Sequence, residues 1–183
     1  MTTTKRLVAA ALFAAVFAAV ASAQDAAPSP AALVGLTPEQ TLSLANQWGM
    51  QAEKNGTTIW TTSKAFTFTF ADGTKTVIAM PEDRMEVSIA PYIMKTHPCS
   101  AHYPTSCRGE LSDTPIHLVA VTADGKTLLD EKTTTLPNGF VDLWLPRDLK
   151  IDVTIKARGL KVTERIGTFD SDVTCVTTPK LHY

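Results

Sequence analysis

The order of apolar and polar positions divides this chain into one helical stretch followed by a series of short strands. Leu42, Ala45 and Trp48 recur at i, i+3 and i+6 with Leu44 beside them, a single apolar stripe of helical period. Thr37-Pro38-Glu39-Gln40 supplies the start: Thr37 can cap, Pro38 suits the first helical position, and Gln40 completes a capping box. Asn55-Gly56 supplies the stop, and Trp48 and Met50 are expected to pack against a core. Beyond residue 56 the period changes to two. Phe66, Phe68 and Phe70 alternate with threonines, and Asp72-Gly73 signals a tight turn into a second strand over 76–80. Further strands are predicted over 57–60, 85–89, 116–122, 127–133, 140–145, 150–157 and 161–169, with turns at Asp124-Gly125 and Asn138-Gly139. The fold class is therefore mainly β (α+β). A small helix-plus-hairpin N-terminal part over 36–82 precedes an antiparallel β-sandwich of about seven strands over 83–183, with the boundary near Pro81-Glu82-Asp83.

The first residues carry a different pattern. Lys5 and Arg6 precede fifteen wholly apolar residues, Leu7 to Ala21, and Ala21-Ser22-Ala23 offers the small residues of a signal-peptidase site. Residues 1–23 read as a Sec-type signal peptide, since the apolar run is short for a bilayer core that takes about 20 residues. The Ala/Pro/Ser-rich segment after it reads as a flexible linker over 24–35. Cleavage removes two of 17 basic residues and leaves 15 against 18 acidic ones. That balance excludes attachment to nucleic acid or anionic lipid by bulk charge, and no second apolar stretch is long enough to span a membrane. An exported protein with three cysteines has an odd thiol, which must be buried, paired between chains or bound to a metal.

The candidate chemistry lies in residues 96–111, which hold His97, Cys99, His102 and Cys107 together with Pro98 and Pro104. A segment so poor in residues to bury is a loop, and thiolate with imidazole is a donor set for Cu(I) or Zn(II). The third cysteine, Cys175, lies in Asp172-Val173-Thr174-Cys175-Val176-Thr177 and reaches the loop only through folding. Three converging thiolates make a trigonal site suited to Cu(I), with a histidine as a further contact. A Cys99–Cys107 disulfide with Cys175 as a buried core thiol is the competing reading. The spacing matches no zinc finger, zinc knuckle or Cys-x-x-Cys redox motif, and the chain has no nucleotide loop, nucleophile elbow or His-Glu-x-x-His motif. His117 reads as a satisfied strand residue and His182 as mobile near the C-terminus; Met80, Met85 and Met94 are expected in the core.

Two resemblances follow from these residues. Leu136-Pro137-Asn138-Gly139-Phe140 and the strand after it resemble the hairpin of transthyretin-like or carboxypeptidase-regulatory sandwich domains. That likeness supports the sandwich architecture, and a transthyretin-like interaction module with one structural disulfide is the competing reading of function. The spacing of Cys99, Cys107 and Cys175, with Thr96-His97-x-Cys99-x-x-His102 and Gly109-Glu110 around the pair, resembles the CueP family of periplasmic copper-binding proteins. This second resemblance implies a Gram-negative periplasmic protein of copper resistance. Such a protein is not an enzyme; it sequesters copper and supplies it to a periplasmic Cu,Zn superoxide dismutase, and it associates as a homodimer through its N-terminal part. It also implies that Cys99, Cys107 and Cys175 are the metal cysteines, with His102 favoured over His97 as auxiliary ligand, Cu(I) as the ion and zinc as the alternative. Thiols can themselves reduce Cu(II) and end as a disulfide, so a periplasmic thiol-disulfide reductase would restore them. A thiol-dependent copper or iron reductase is thus a third reading.

Overall fold

The computed structural model describes residues 28–183. The signal-peptide reading and the start of the linker lie outside the described residues. Within the segment read as linker, Pro30–Leu33 forms a 3-10 turn whose Leu33 is buried in the first core, so this part is packed rather than free. Helix α1, Pro38–Lys54, opens as its sequence demands. Thr37 Oγ1 accepts from the Gln40 amide at 3.3 Å while the Thr37 amide donates to Gln40 Oε1 at 2.9 Å, closing the capping box. The helix breaks at Gly49, whose φ of 42° only glycine adopts at little cost. Past the break Met50 points outward, 57% exposed, which corrects its expected burial.

Ten strands follow: β1 Thr58–Thr61, β2 Ala65–Thr69, β3 Lys75–Ala79, β4 Arg84–Ile89, β5 Pro115–Thr122, β6 Thr127–Thr134, β7 Val141–Pro146, β8 Lys150–Ala157, β9 Leu160–Gly167 and β10 Cys175–Val176. They form three sheets, ordered β1-β2-β3, β10-β4-β7 and β6-β5-β8-β9. The last two enclose a core of Met85, Val87, Ile89, Leu118, Leu143, Val153 and Ile155 among others, the sandwich that the period-two pattern predicts. Among its strands β10 alone departs from antiparallel pairing, running parallel to β4 with Cys175 opposite Ser88 and Val176 opposite Ile89, and the isolated Tyr92–Lys180 bridge beyond it is parallel too. A second core joins α1 to the first sheet through Leu42, Ala45, Trp48, Ile59, Phe66 and Phe68. Trp48 meets Phe68 edge-on, with ring centroids 6.2 Å apart, a contact that adds about 1 kcal/mol to the area buried.

Strand β4 is buried on both sides, because its outer face is covered in turn by α1 and the first sheet. Met85, Val87 and Ile89 point into the sandwich, whereas Arg84, Glu86 and Ser88 point at the helix side. Arg84 pairs with Glu39 of α1, and Trp144 of β7 packs on Phe66 of β2 with centroids 6.1 Å apart. Asn46 Nδ2 donates to Asp142 Oδ2 at 2.6 Å. Ser88 Oγ lies 2.6 Å from Glu86 Oε1 and 2.7 Å from Asp142 Oδ1. One hydroxyl proton cannot serve two carboxylates. Burial, and then the neighbouring Asp142 charge, push the Glu86 carboxyl well above its ordinary value of 4.5, so Glu86 stays protonated and donates through Ser88 to Asp142.

That arrangement carries a stability prediction. A carboxyl raised in the folded state binds more protons folded than unfolded, so stability falls as pH climbs from the ordinary carboxyl value towards the raised one, and levels off above it. Glu86→Gln keeps a donor towards Ser88 and cannot ionise. In thermal unfolding followed from about pH 5 to about pH 9, the variant is expected to gain on wild type steadily as pH rises. A constant difference between the two would refute the buried neutral carboxyl.

The remaining sequence expectations divide. Met80 and Met85 are buried, but Met94 is 78% exposed, because the chain leaves the sheet after Ile89 and residues 92–100 run over the surface. His117 is satisfied in its strand, with Nε2 2.7 Å from Asp130 of β6. His182 is held rather than loose: its backbone bridges Lys161 through two hydrogen bonds, of 2.8 and 3.0 Å.

Candidate metal centre

The loop between β4 and β5 has little regular structure, and it is tied to the body by backbone groups rather than by a core of its own. Glu110 Oε2 accepts from the amides of Ile93, Met94 and Lys95 at 2.6, 2.8 and 3.2 Å, which fastens the start of the loop to its end. Desolvation pushes this carboxyl up, but the three amides outweigh it and hold the group below its ordinary value. Thr96 Oγ1 donates to the Thr177 carbonyl and Thr177 Oγ1 to the His97 carbonyl, at 2.5 and 2.6 Å. The middle of the loop is stitched to the first sheet. The Thr61 amide donates to the His102 carbonyl at 2.7 Å, while Thr174 Oγ1 accepts from the His102 amide at 3.2 Å and donates to the Thr61 carbonyl at 2.6 Å. Thr174 immediately precedes β10, so one threonine aligns β1, the loop and the strand that carries Cys175.

The far end of the loop crosses the turn before β7. The Gly109 amide donates to the Asn138 carbonyl at 2.6 Å, and the Gly109 and Gly139 backbones touch so closely that neither has room for a Cβ. This crossing brings Phe140 beneath the loop. Its ring is fully buried, 4.5 Å from that of His102 and 6.4 Å from that of His97 between centroids. Ala90, Cys107, Phe140 and Cys175 form a small buried cluster with Cys99 packed against it.

All three cysteines are free thiols. The Cys99 and Cys107 sulfurs are 3.6 Å apart, and Cys175 Sγ is 3.8 Å from His102 Nδ1. Two ligand sets close here, each with every donor atom within 4.8 Å of the others: His97, Cys99 and Cys107, and His102, Cys107 and Cys175. Every residue singled out from the sequence is therefore in the cluster, and Cys107 is in both sets. Among the described residues no other group of histidine, cysteine and acidic side chains gathers in this way. His102 is wholly buried, and its Nε2 has no hydrogen-bond partner, a deficit of about 1–3 kcal/mol for a buried polar group.

The thiols are not equivalent. Hydrogen bonding from Cys175 holds the Cys107 thiol far below its ordinary value of 9.0, to about 3, against the opposing effect of burial, and His102 adds to the lowering. The same contact with Cys107, and then burial, drive Cys175 upward. Burial raises Cys99. These contacts favour the thiolate at Cys107, the form in which cysteine binds a metal. Thiols and imidazoles gathered over an aromatic ring form a donor set that could hold a soft or borderline metal ion.

Sequence reading did not anticipate Phe140, Thr174 or the Gly109–Gly139 crossing. Phe140 follows an Asn-Gly turn and reads as an ordinary inward strand residue; its contact with two histidines exists only because the loop folds over it.

Comparisons with known proteins agree with this picture. No curated protein matches the chain. The crystal structure of S.CueP superposes with a TM-score of 0.75 at 22% sequence identity, covering 97% of this chain and 100% of that one, which establishes a shared fold. The model of the family described as periplasmic copper-binding protein CueP matches residues 49–180, a span that runs from the break in α1 through β10 and contains all three cysteines and both loop histidines. On that match over most of its length, and in accord with a cluster of soft donors, this chain belongs to the CueP family of periplasmic copper-binding proteins.

Proposed function

We propose that this protein sequesters Cu(I) through Cys99, Cys107 and Cys175, with His102 and His97 as auxiliary ligands, and hands the ion to a periplasmic Cu,Zn superoxide dismutase. In this reading residues 1–23 direct export and are removed, copper resistance follows from withdrawal of the free ion, and the mature protein works as a homodimer. The observation that carries the proposal is the convergence of Cys175, 68 residues beyond Cys107 in the chain, on the same buried cluster as the loop thiols. Thiolate donors stabilise Cu(I) over Cu(II), and sets of three suit a trigonal ion better than Zn(II), which takes four ligands in structural sites.

The 3.6 Å approach of Cys99 to Cys107 supports an accompanying redox role. Two Cu(II) ions can each take one electron from this pair of thiols, leaving two Cu(I), two protons and a Cys99–Cys107 disulfide. A periplasmic thiol-disulfide reductase would return the pair to thiols before the next cycle.

The test is metal analysis of protein purified under reducing conditions, followed by mixing with copper-free superoxide dismutase. Near-stoichiometric copper, lost on Cys175→Ser, together with dismutase activity that appears on mixing, is the expected result. Unchanged copper in Cys175→Ser would remove that residue from the site, and no gain of dismutase activity would remove the proposed recipient.

A further inference from the structure

We infer that the centre contains two overlapping copper positions hinged on the Cys107 sulfur: an outer one, His97–Cys99–Cys107, where Cu(I) is captured and released, and an inner one, His102–Cys107–Cys175, where it is stored. This rests on the reading of the protein as a Cu(I) carrier and adds how the ion enters and leaves.

The geometry of the two sets is the first ground. Metal–ligand bonds of about 2.3 Å place the donors of a trigonal centre about 4 Å apart. The distance between Cys99 and Cys107 sulfurs in the outer set is 3.6 Å, and that between Cys175 Sγ and His102 Nδ1 in the inner set is 3.8 Å. Each set thus stands near the spacing that one ion needs, and each has two sulfurs and one imidazole.

Burial is the second ground. His97 and Cys99 are half-buried, within reach of solvent or of a partner protein, whereas Cys107, His102 and Cys175 are buried at 8%, 0% and 1% exposure. An ion in the inner set would therefore sit deeper than one in the outer set, and the shared Cys107 sulfur joins the two. With the Cys107 bond kept throughout, His97 and Cys99 are exchanged for His102 and Cys175 one ligand at a time, so no step leaves the ion without a thiolate. Phe140 lies against both imidazoles and forms the common apolar wall along which the exchange takes place.

Anaerobic stopped-flow competition with a chromophoric Cu(I) chelator separates the positions, with X-ray absorption at the copper edge reading the ligands. Cys99→Ser and His97→Ala are expected to slow both uptake and chelator-driven release at least about tenfold while losing clearly less equilibrium affinity than the inner variants. Cys175→Ser and His102→Ala are expected to keep rapid capture and to lose affinity by about a hundredfold. Copper in wild type and in Cys99→Ser should show the same two sulfurs and one nitrogen. Equal loss of affinity in Cys99→Ser and Cys175→Ser, with three sulfurs on copper in wild type, would overturn the two-position arrangement and leave the carrier reading standing. A wild type that takes up no Cu(I) would instead overturn the carrier reading. Cys99 and His97 stand at half-buried positions, so the outer variants decide the question even if a buried inner variant fails to fold.

Discussion

Cys107→Ser is expected to abolish copper retention more completely than any other single substitution. The reason is its place in the cluster: it belongs to both ligand sets, and its sulfur is the one held as thiolate by Cys175 and His102. Replacing residues that only hydrogen-bond to the ligands of a metal site already costs about 10–100-fold in affinity, so loss of the shared ligand should weaken Cu(I) binding by more than about a hundredfold. The Cys107 sulfur also accepts from the Tyr103 amide at 3.4 Å, a bond that a serine hydroxyl can keep. Folding should therefore survive, and the effect should be confined to the ion. Competition titration with a Cu(I) chelator, alongside circular dichroism to confirm the fold, measures both. Copper affinity within tenfold of wild type would show that the cluster does not turn on this sulfur.

The second large effect is expected at Gly139. Its φ of +83° disfavours any side chain, and a Cβ there would lie 2.6 Å from the carbonyl of Gly109. Left-handed strain costs about 1–3 kcal/mol and overpacking against backbone a similar amount, so Gly139→Ala should destabilise by about 3–5 kcal/mol. In a domain of this size that corresponds to a fall in Tm on the order of 10 °C. Gly125 separates the two contributions, because its φ is +86° but nothing lies within 4 Å of a Cβ. Gly125→Ala should cost only the backbone strain, about 1–3 kcal/mol, and should leave Cu(I) affinity untouched. Gly139→Ala should also weaken copper binding, since the crossing places the cysteine loop over Phe140. Equal behaviour of the two variants would deny the crossing any role in shaping the site.

These two residues bear differently on what the chain shows before it folds. Asn138-Gly139 is recognisable as a turn from its dipeptide alone, but its contact with Gly109 is not, because thirty positions separate them and neither carries a side chain to signal a partner. The same holds for Glu86 and Ser88. Polar residues alternating with Met85, Val87 and Ile89 suggest a face in water, yet they are wholly buried because α1 and the first sheet cover that face. Met94 errs the other way, an apolar residue left exposed on a surface loop whose path is set by hydrogen bonds to Glu110.

What the amino-acid order determined by itself is the local and the chemical: the capped start of α1, the period-two strands of the sandwich, and the gathering of soft donors in residues 96–111. These follow from interactions between near neighbours, which short stretches of chain dictate. Tertiary structure alone decided that Cys175 meets the loop, that Cys107 serves both ligand sets, and that His102 is enclosed while His97 stays nearer the surface. A two-residue strand such as β10 is too short to declare a period. Only its parallel register with β4, Cys175 opposite Ser88, selects the face on which its sulfur emerges.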